Sequence, residues 1–210
     1  MNTEQSTSAE LDSVVESVRL GDQDALRSLL AGHHAYLRQV IDLRMDDALR
    51  VRVDPSDIVQ EALLEAVRRV SDYARDPQIP LRLWMRRIAI DRLNMAHRRH
   101  LAAEKRSVRR QFALPEQSSL SIAAQLVAGI SSPSMQVGRA EVTAKVRDAI
   151  SRLDDNDQEI ILLQAFEGLN STESAQVLGI EPATARKRFG RALLRLRKLL
   201  IEGGLGESQA

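Results

Sequence analysis

The stretch STESAQVLGIEPATARKRFGRALLRLRKLL, Ser171 to Leu200, decides the fold. It reads as a short helix, a tight turn and a longer basic helix. Ser171 is of N-cap type, and Ala175, Val177 and Leu178 supply an apolar face behind it. Gly179 lacks the Cβ that disfavours a left-handed backbone, so the first helix is expected to end there. Pro182 fits just inside the next helix, where its missing N–H breaks no helical bond. Ala175 is small enough for two helices to cross closely, and Ile180 and Ala185 can fill the corner between them. This is a helix-turn-helix pattern, a unit that presents its second helix to the major groove of DNA. The alternative is a plain helical hairpin inside a core. Charge argues against it. From Glu181 to Leu200 there are seven basic residues (Arg186, Lys187, Arg188, Arg191, Arg195, Arg197, Lys198) and one acid, whereas a solvated face usually mixes both signs.

The formal net charge over 210 residues is only +1, which hides how the charge is distributed. Residues 1–61 hold twelve acids and six bases, while residues 82–110 hold ten Arg or Lys against Asp91 and Glu104. Two basic blocks in one chain suggest two nucleic-acid contacts. There is no cysteine, which excludes disulfides and thiolate zinc sites. The N-terminal MNTEQSTSAELDS has no apolar core of a signal peptide, and no apolar run is long enough to span a bilayer. A soluble, cytoplasmic chain is expected.

Helical periodicity dominates, so the expected class is all-α: two small helical domains joined by a flexible linker. A disordered start (1–10) precedes a first domain (11–110), a linker (111–137), a second domain (138–201) and a tail (202–210). In the first domain, Leu11–Leu20 is a short helix stopped by Gly21, and Asp22 caps the next, which carries Leu26, Leu29, Leu30, His33, Leu37, Val40 and Ile41 on one side. A cap-like DPSD then opens a helix whose stripe is Ile58, Val59, Ala62, Leu63, Ala66, Val67 and Val70. The Pro-broken SDYARDPQIP leads to a helix over about Leu81–His100, with Trp84, Ile88 and Leu93 near its apolar face. Six serines, two prolines and a glycine between Leu114 and Ser134 mark the linker. Helicity resumes near Gly138 with Val142, Val146, Ala149, Ile150 and Leu153, breaks at Asp154 or Asp155, and runs again over Asp157–Phe166. The helix-turn-helix, at about 171–191, follows.

Asp57, Gln60 and Glu61 share a helix side opposite the apolar stripe. They fit a solvated acidic face or a surface that docks a basic partner. A carboxylate metal site completed by His33, His34, His97 or His100 is disfavoured, because these histidines lie in separate segments without a helical metal motif. In LRLWMRRIAIDRLNMAHRRHLAAEKRSVRR, Trp84 is in phase with Ile88 and is assigned to the core. The block's arginines (Arg86, Arg87, Arg92, Arg98, Arg99, with Lys105 and Arg106) suit phosphate contacts. In the second helix of the helix-turn-helix, Ala185 and Phe189 are needed inward. That turns Thr184, Arg186, Lys187 and Arg188 toward the groove or its flanking phosphates.

The order DPSDIVQEALLEAVRR, then LRLWMRRIAIDRL with a basic tail, then LDDNDQEIILLQAFEGLNSTESAQVLGIEPATARKRFGRALLRLRKL resembles a bacterial RNA polymerase sigma factor. The likeness is to the compact extracytoplasmic-function subfamily of the sigma-70 family, and spans about residues 10–110 and 138–200. The resemblance implies that Asp57, Gln60 and Glu61 bind core RNA polymerase. It implies that the block with Arg87, Asp91, Arg92, Arg98 and Arg99 opens and holds the minus-ten promoter element. Thr184, Arg186, Lys187, Arg188 and Arg191 would then serve the minus-thirty-five element. The family often has Asn where this chain has Asp91; an ionised Asp only accepts, so it suits a cytosine amino group and repels phosphate. Pro182 and Gly190 are also unusual beside the commoner family text. The implied partners are core RNA polymerase and promoter DNA, with an anti-sigma factor as a candidate regulator; no cofactor, metal or enzymatic activity is implied. The rival is a stand-alone helix-turn-helix regulator, which has no need of a second basic surface beside an acidic face.

Overall fold

The computed structural model describes residues 17, 22–101, 114–127 and 136–205. The helix expected over Leu11–Leu20 lies outside them apart from Ser17, as do Lys105 and Arg106. The chain divides into two compact units, residues 1–107 and 108–210. The described residues of both are helical and include no strand.

The first unit holds α1 (Gln23–Arg44), α2 (Asp47–Arg50), α3 (Pro55–Arg75) and α4 (Leu81–Leu101). Local chemistry sets each start. The Asp22 carboxylate accepts the N–H groups of Asp24 and Ala25 at 2.9 and 3.0 Å, which satisfies donors a helix leaves open. Asp54 accepts the Ser56 N–H at 2.7 Å and Pro55 follows at the first helical position. That backbone bond, helped by the Ser56 hydroxyl and Arg38, holds the Asp54 carboxyl below the usual carboxylate range. The Pro80 carbonyl accepts from Leu83 and Trp84, which starts α4.

The stripe expected on α3 turns inward: Ile58, Val59, Ala62, Ala66 and Val70 are buried, with Leu63 and Val67 half-buried at its margins. Leu37 and Ile41 of α1 and Met85, Ile88, Ala89 and Leu93 of α4 complete the core. Each fully buried large apolar side chain contributes about 1.5–3 kcal/mol. Trp84 is half-buried and stacks on Tyr73 with ring centroids 4.7 Å apart, and the Tyr73 hydroxyl donates to the Ile79 carbonyl. That pair ties the loop at Asp76–Pro80 to the helix ends.

The second unit holds α5 (Glu116–Leu126), α6 (Gln136–Ser151), α7 (Asp155–Ile161), a π-helical turn (Leu162–Phe166), α8 (Ser171–Leu178) and α9 (Pro182–Glu202). Helix α5 lies within the span read as a linker. Its serines are compatible with a helix because a hydroxyl can bond back to the preceding turn, as Ser119 does to the Pro115 carbonyl at 2.9 Å. Ile122 and Ala123 are buried beside it. Asp154 does mark a break, as the N-cap of α7 through the Asp157 N–H at 2.9 Å. The helix expected over Asp157–Phe166 widens at Leu162, where the Glu167 N–H donates to the Leu162 carbonyl at 2.8 Å. The wide turn keeps Leu162, Leu163 and Phe166 all buried. Val142, Val146, Ala149, Ile150 and Leu153 are buried in the same unit, as are Ala192, Leu196 and Leu200 of α9.

Candidate nucleic-acid and protein interfaces

The helix-turn-helix begins one residue earlier than expected. Asn170, not Ser171, is the N-cap: its side chain accepts from Thr172 and Glu173, and Glu173 returns a bond from the Asn170 N–H at 2.8 Å. This reciprocal box was legible as Asn followed three residues later by Glu. The Gly179 and Ile180 N–H groups both converge on the Ala175 carbonyl. Gly179 has φ 64°, yet an added Cβ would meet nothing within 4 Å. Backbone conformation, not space, requires glycine there. Pro182 opens α9 as expected.

Along α9, Ala185, Ala192, Leu196 and Leu200 face inward and Phe189 is half-buried. Thr184, Arg186, Lys187 and Arg191 are exposed and Arg188 is half-buried. Thr184, Lys187, Arg188, Arg191 and Arg195 line one cleft against Asp154, Asn156 and Asp157. Arg186 is not part of that cleft. At 3.6 residues per turn it lies roughly 200° from Thr184, on the opposite flank. Arg188 donates to the Asn156 side chain at 3.4 Å. Arg195 bonds Asp157 and also reaches Asp154 at 3.4 Å. The hydrogen bond and charge of Asp157 raise the already high guanidinium pKa further, so Arg195 stays charged throughout. Among the described residues, no acid lies within ion-pair distance of Arg186, Lys187 or Arg191.

On α4, Arg87, Asp91 and Arg98 are exposed at spacings of four and seven, which places them in one row. Asn94, also exposed, completes it; the spacing alone could have found it. Arg92 differs. It is half-buried and paired with Glu65 at 3.4 Å, which also meets Arg68 and Arg69 at 3.7 and 3.9 Å. Arg99 is exposed and stands 3.8 Å from Glu61.

Asp57, Gln60 and Glu61 on α3 are exposed on one face, and Leu64 joins them with 60% of its surface open. An apolar side chain displayed beside two acids is a feature that the polar pattern concealed. Because Glu61 contacts Arg99, the acidic face and the basic row adjoin. His97 is 3.6 Å from Asp46. Among the described residues, no three of His, Cys, Asp or Glu gather as a metal-binding group.

The unit built on α6–α9 matches the family model for sigma-70, region 4, over residues 143–196. The chain is 29% identical over 180 residues to RNA polymerase sigma factor CnrH of Cupriavidus metallidurans, covering 86% of this chain and 88% of that protein. It is 25% identical over 194 residues to ECF RNA polymerase sigma factor SigD of Mycobacterium tuberculosis, covering 92% and 85%. The solved structure of CnrH in complex with the cytosolic domain of CnrY shares the fold, with a TM-score of 0.54, 23% identity and coverage of 91% and 97%. Over most of its length the chain is thus similar to bacterial RNA polymerase sigma factors, those of the extracytoplasmic-function subfamily among them.

Proposed function

We propose that the chain binds core RNA polymerase, directs it to promoters and helps open the DNA. The observation that carries this reading is the pairing of two different surfaces on the first unit. An acidic, partly apolar face (Asp57, Gln60, Glu61, Leu64) adjoins a basic row on α4 (Arg87, Arg98, with Asp91 and Asn94). A duplex-binding regulator needs the helix-turn-helix alone. A promoter-specificity subunit needs a protein-docking face beside a second DNA surface as well.

The acidic face is assigned to the polymerase. The α4 row, with Arg92 and Arg99 behind it, is assigned to the minus-ten element. Thr184, Arg186, Lys187, Arg188 and Arg191 are assigned to the minus-thirty-five element. Asp91 serves the minus-ten row as an acceptor for a base amino group. The phosphodiester chemistry belongs to the polymerase, so the chain is read as non-enzymatic. No described helix is long and apolar enough to cross a membrane, and the site of action is proposed to be the cytoplasm. An anti-sigma factor that covers these surfaces is the regulator the family reading implies.

The test is transcription of genomic DNA by purified core polymerase with and without the chain. New, discrete start sites are expected. Duplex binding with no new starts would favour the stand-alone regulator.

A further inference from the structure

The cations of α9 are not equivalent. Thr184, Lys187, Arg188, Arg191 and Arg195 share one cleft with the start of α7. Eleven residues at about 1.5 Å each put Arg195 roughly 16 Å along the helix from Thr184. Lys187 and Arg191 meet no acid there, whereas Arg195 bonds Asp157 and lies 3.4 Å from Asp154. The Asp157 side chain is only 4% exposed although Arg195 is 57% exposed. Asp157 therefore has little water to fall back on, and Arg195 is its charge partner. A phosphate approaching Arg195 would have to displace a buried carboxylate and face a second one at Asp154. Phosphate contacts add affinity without sequence information, and fixed like charges oppose them.

We propose that Asp157, together with Asp154, is a specificity-determining element that withdraws Arg195 from DNA and ends the phosphate track along α9. This rests on α9 being the DNA-binding helix. The pair keeps binding dependent on the bases that Arg186 and Arg188 can read, because it removes a contact that every sequence would satisfy equally. It also separates residues that composition groups together: Arg195 belongs with α7, and Arg191 with the DNA.

The experiment uses the full chain assembled with core polymerase. Binding is measured over a salt series to a promoter fragment and to a fragment of equal length without a promoter. Contacts made by the core are common to all variants and cancel in the differences. Arg191→Gln should lower the log–log salt slope by about 0.9, the value for one phosphate contact on duplex DNA. Arg195→Gln should leave the slope unchanged. Asp157→Asn should steepen it by about 0.9, raise affinity for the non-promoter fragment severalfold and narrow the preference for the promoter. Asp157→Asn with Arg195→Gln should return to the wild-type slope, and this double variant carries the test if either single change unfolds the unit by circular dichroism. A slope loss in Arg195→Gln equal to that in Arg191→Gln would overturn the proposal. So would a folded Asp157→Asn with unaltered slope and preference. If Arg191→Gln and Lys187→Ala both leave the slope unmoved, the DNA-binding reading of α9 falls, and the proposal with it.

Discussion

Helices α4 and α9 are each 21 residues long and both are rich in arginine, yet they use it differently. In α4, Arg86 is 7% exposed, Arg82 stacks 4.1 Å above the Tyr36 ring, and Arg92 and Arg99 reach Glu65 and Glu61 on α3. Much of its charge helps bind one helix to another. In α9 the ion pairs gather toward the carboxyl-terminal half, at Arg195 and Lys198, and Arg186, Lys187 and Arg191 remain open. A count of basic residues therefore overstates the DNA contact available to α4 and describes the first half of α9 well. The difference follows from the neighbours. Helix α3 offers acids on the side that α4 packs against, whereas the carboxylates at the start of α7 reach only one end of the α9 row.

The largest expected effect tests the acidic side of that comparison. Changing Asp57→Lys and Glu61→Lys together should weaken core-polymerase binding by about 2–5 kcal/mol, the range for a desolvated interfacial charge pair. Titration of labelled chain against core polymerase measures it. Glu61 also holds Arg99, so Arg99→Ala is the control; it should leave core binding intact. An unchanged affinity in the double reversal would reduce the face to solvated surface.

Next in size is base discrimination on α9. Arg186→Ala or Arg188→Ala should relax preference at an upstream base pair by about 1–3 kcal/mol, because a guanidinium can pair with a guanine edge. Lys187→Ala should weaken all promoters more evenly. Selection of binding sites from a random library distinguishes them, and one shared consensus for all three variants would refute these roles. Arg186 and Arg188 lie on opposite flanks of the helix, so the two altered positions should differ.

The two classes of arginine within α4 should also separate. Arg98→Ala should lower the salt slope of open-complex formation by roughly 0.7–0.9, one phosphate contact's worth. Arg92→Ala should change the slope less and lower the melting temperature more, since its partner Glu65 is left half-buried. Equal slopes would erase the distinction between open and paired arginines.

Much of this was legible in the sequence because the signals were local. The Gly179–Pro182 punctuation, the Asp22 and Asp54 caps and the α3 stripe depend on residues within a turn or two. The Asn170 cap is equally local, signalled by Glu173 three residues on, although the adjacent Ser171 is also of N-cap type. Helix α5 was obscured by composition: serines that mark a loop when solvated can bond back to the helix when packed. The pairings of Arg92, Arg99 and Arg195 were out of reach for a different reason. Each joins residues tens of positions apart, and helical periodicity cannot say which charge on one helix faces which on another. The resemblance carried the functional reading across those gaps, but it groups Arg92 and Arg99, which meet Glu65 and Glu61, with the open Arg87 and Arg98.

Gly190 offers the smallest effect and a finer view of the open half of α9. A glycine inside a helix costs about 1 kcal/mol relative to alanine. An added Cβ at Gly190 would meet nothing within 4 Å, and its φ is not in the left-handed region. Nothing within the protein therefore requires glycine. Gly190→Ala should stabilise the second unit by about 0.5–1 kcal/mol, raising its melting temperature by about 4–8 °C per kcal/mol for a unit of this size. Calorimetry checks that, and an unchanged or lower melting temperature would show a packing need that the structure does not contain. By helical spacing Gly190 shares the outward side with Lys187 and the 68%-exposed Leu194. Promoter binding by the same variant then locates the line of closest approach. Lost affinity in a more stable protein places DNA against the bare Cα, whereas retained affinity places the contact on the flank carried by Arg188 and Arg191, away from Gly190.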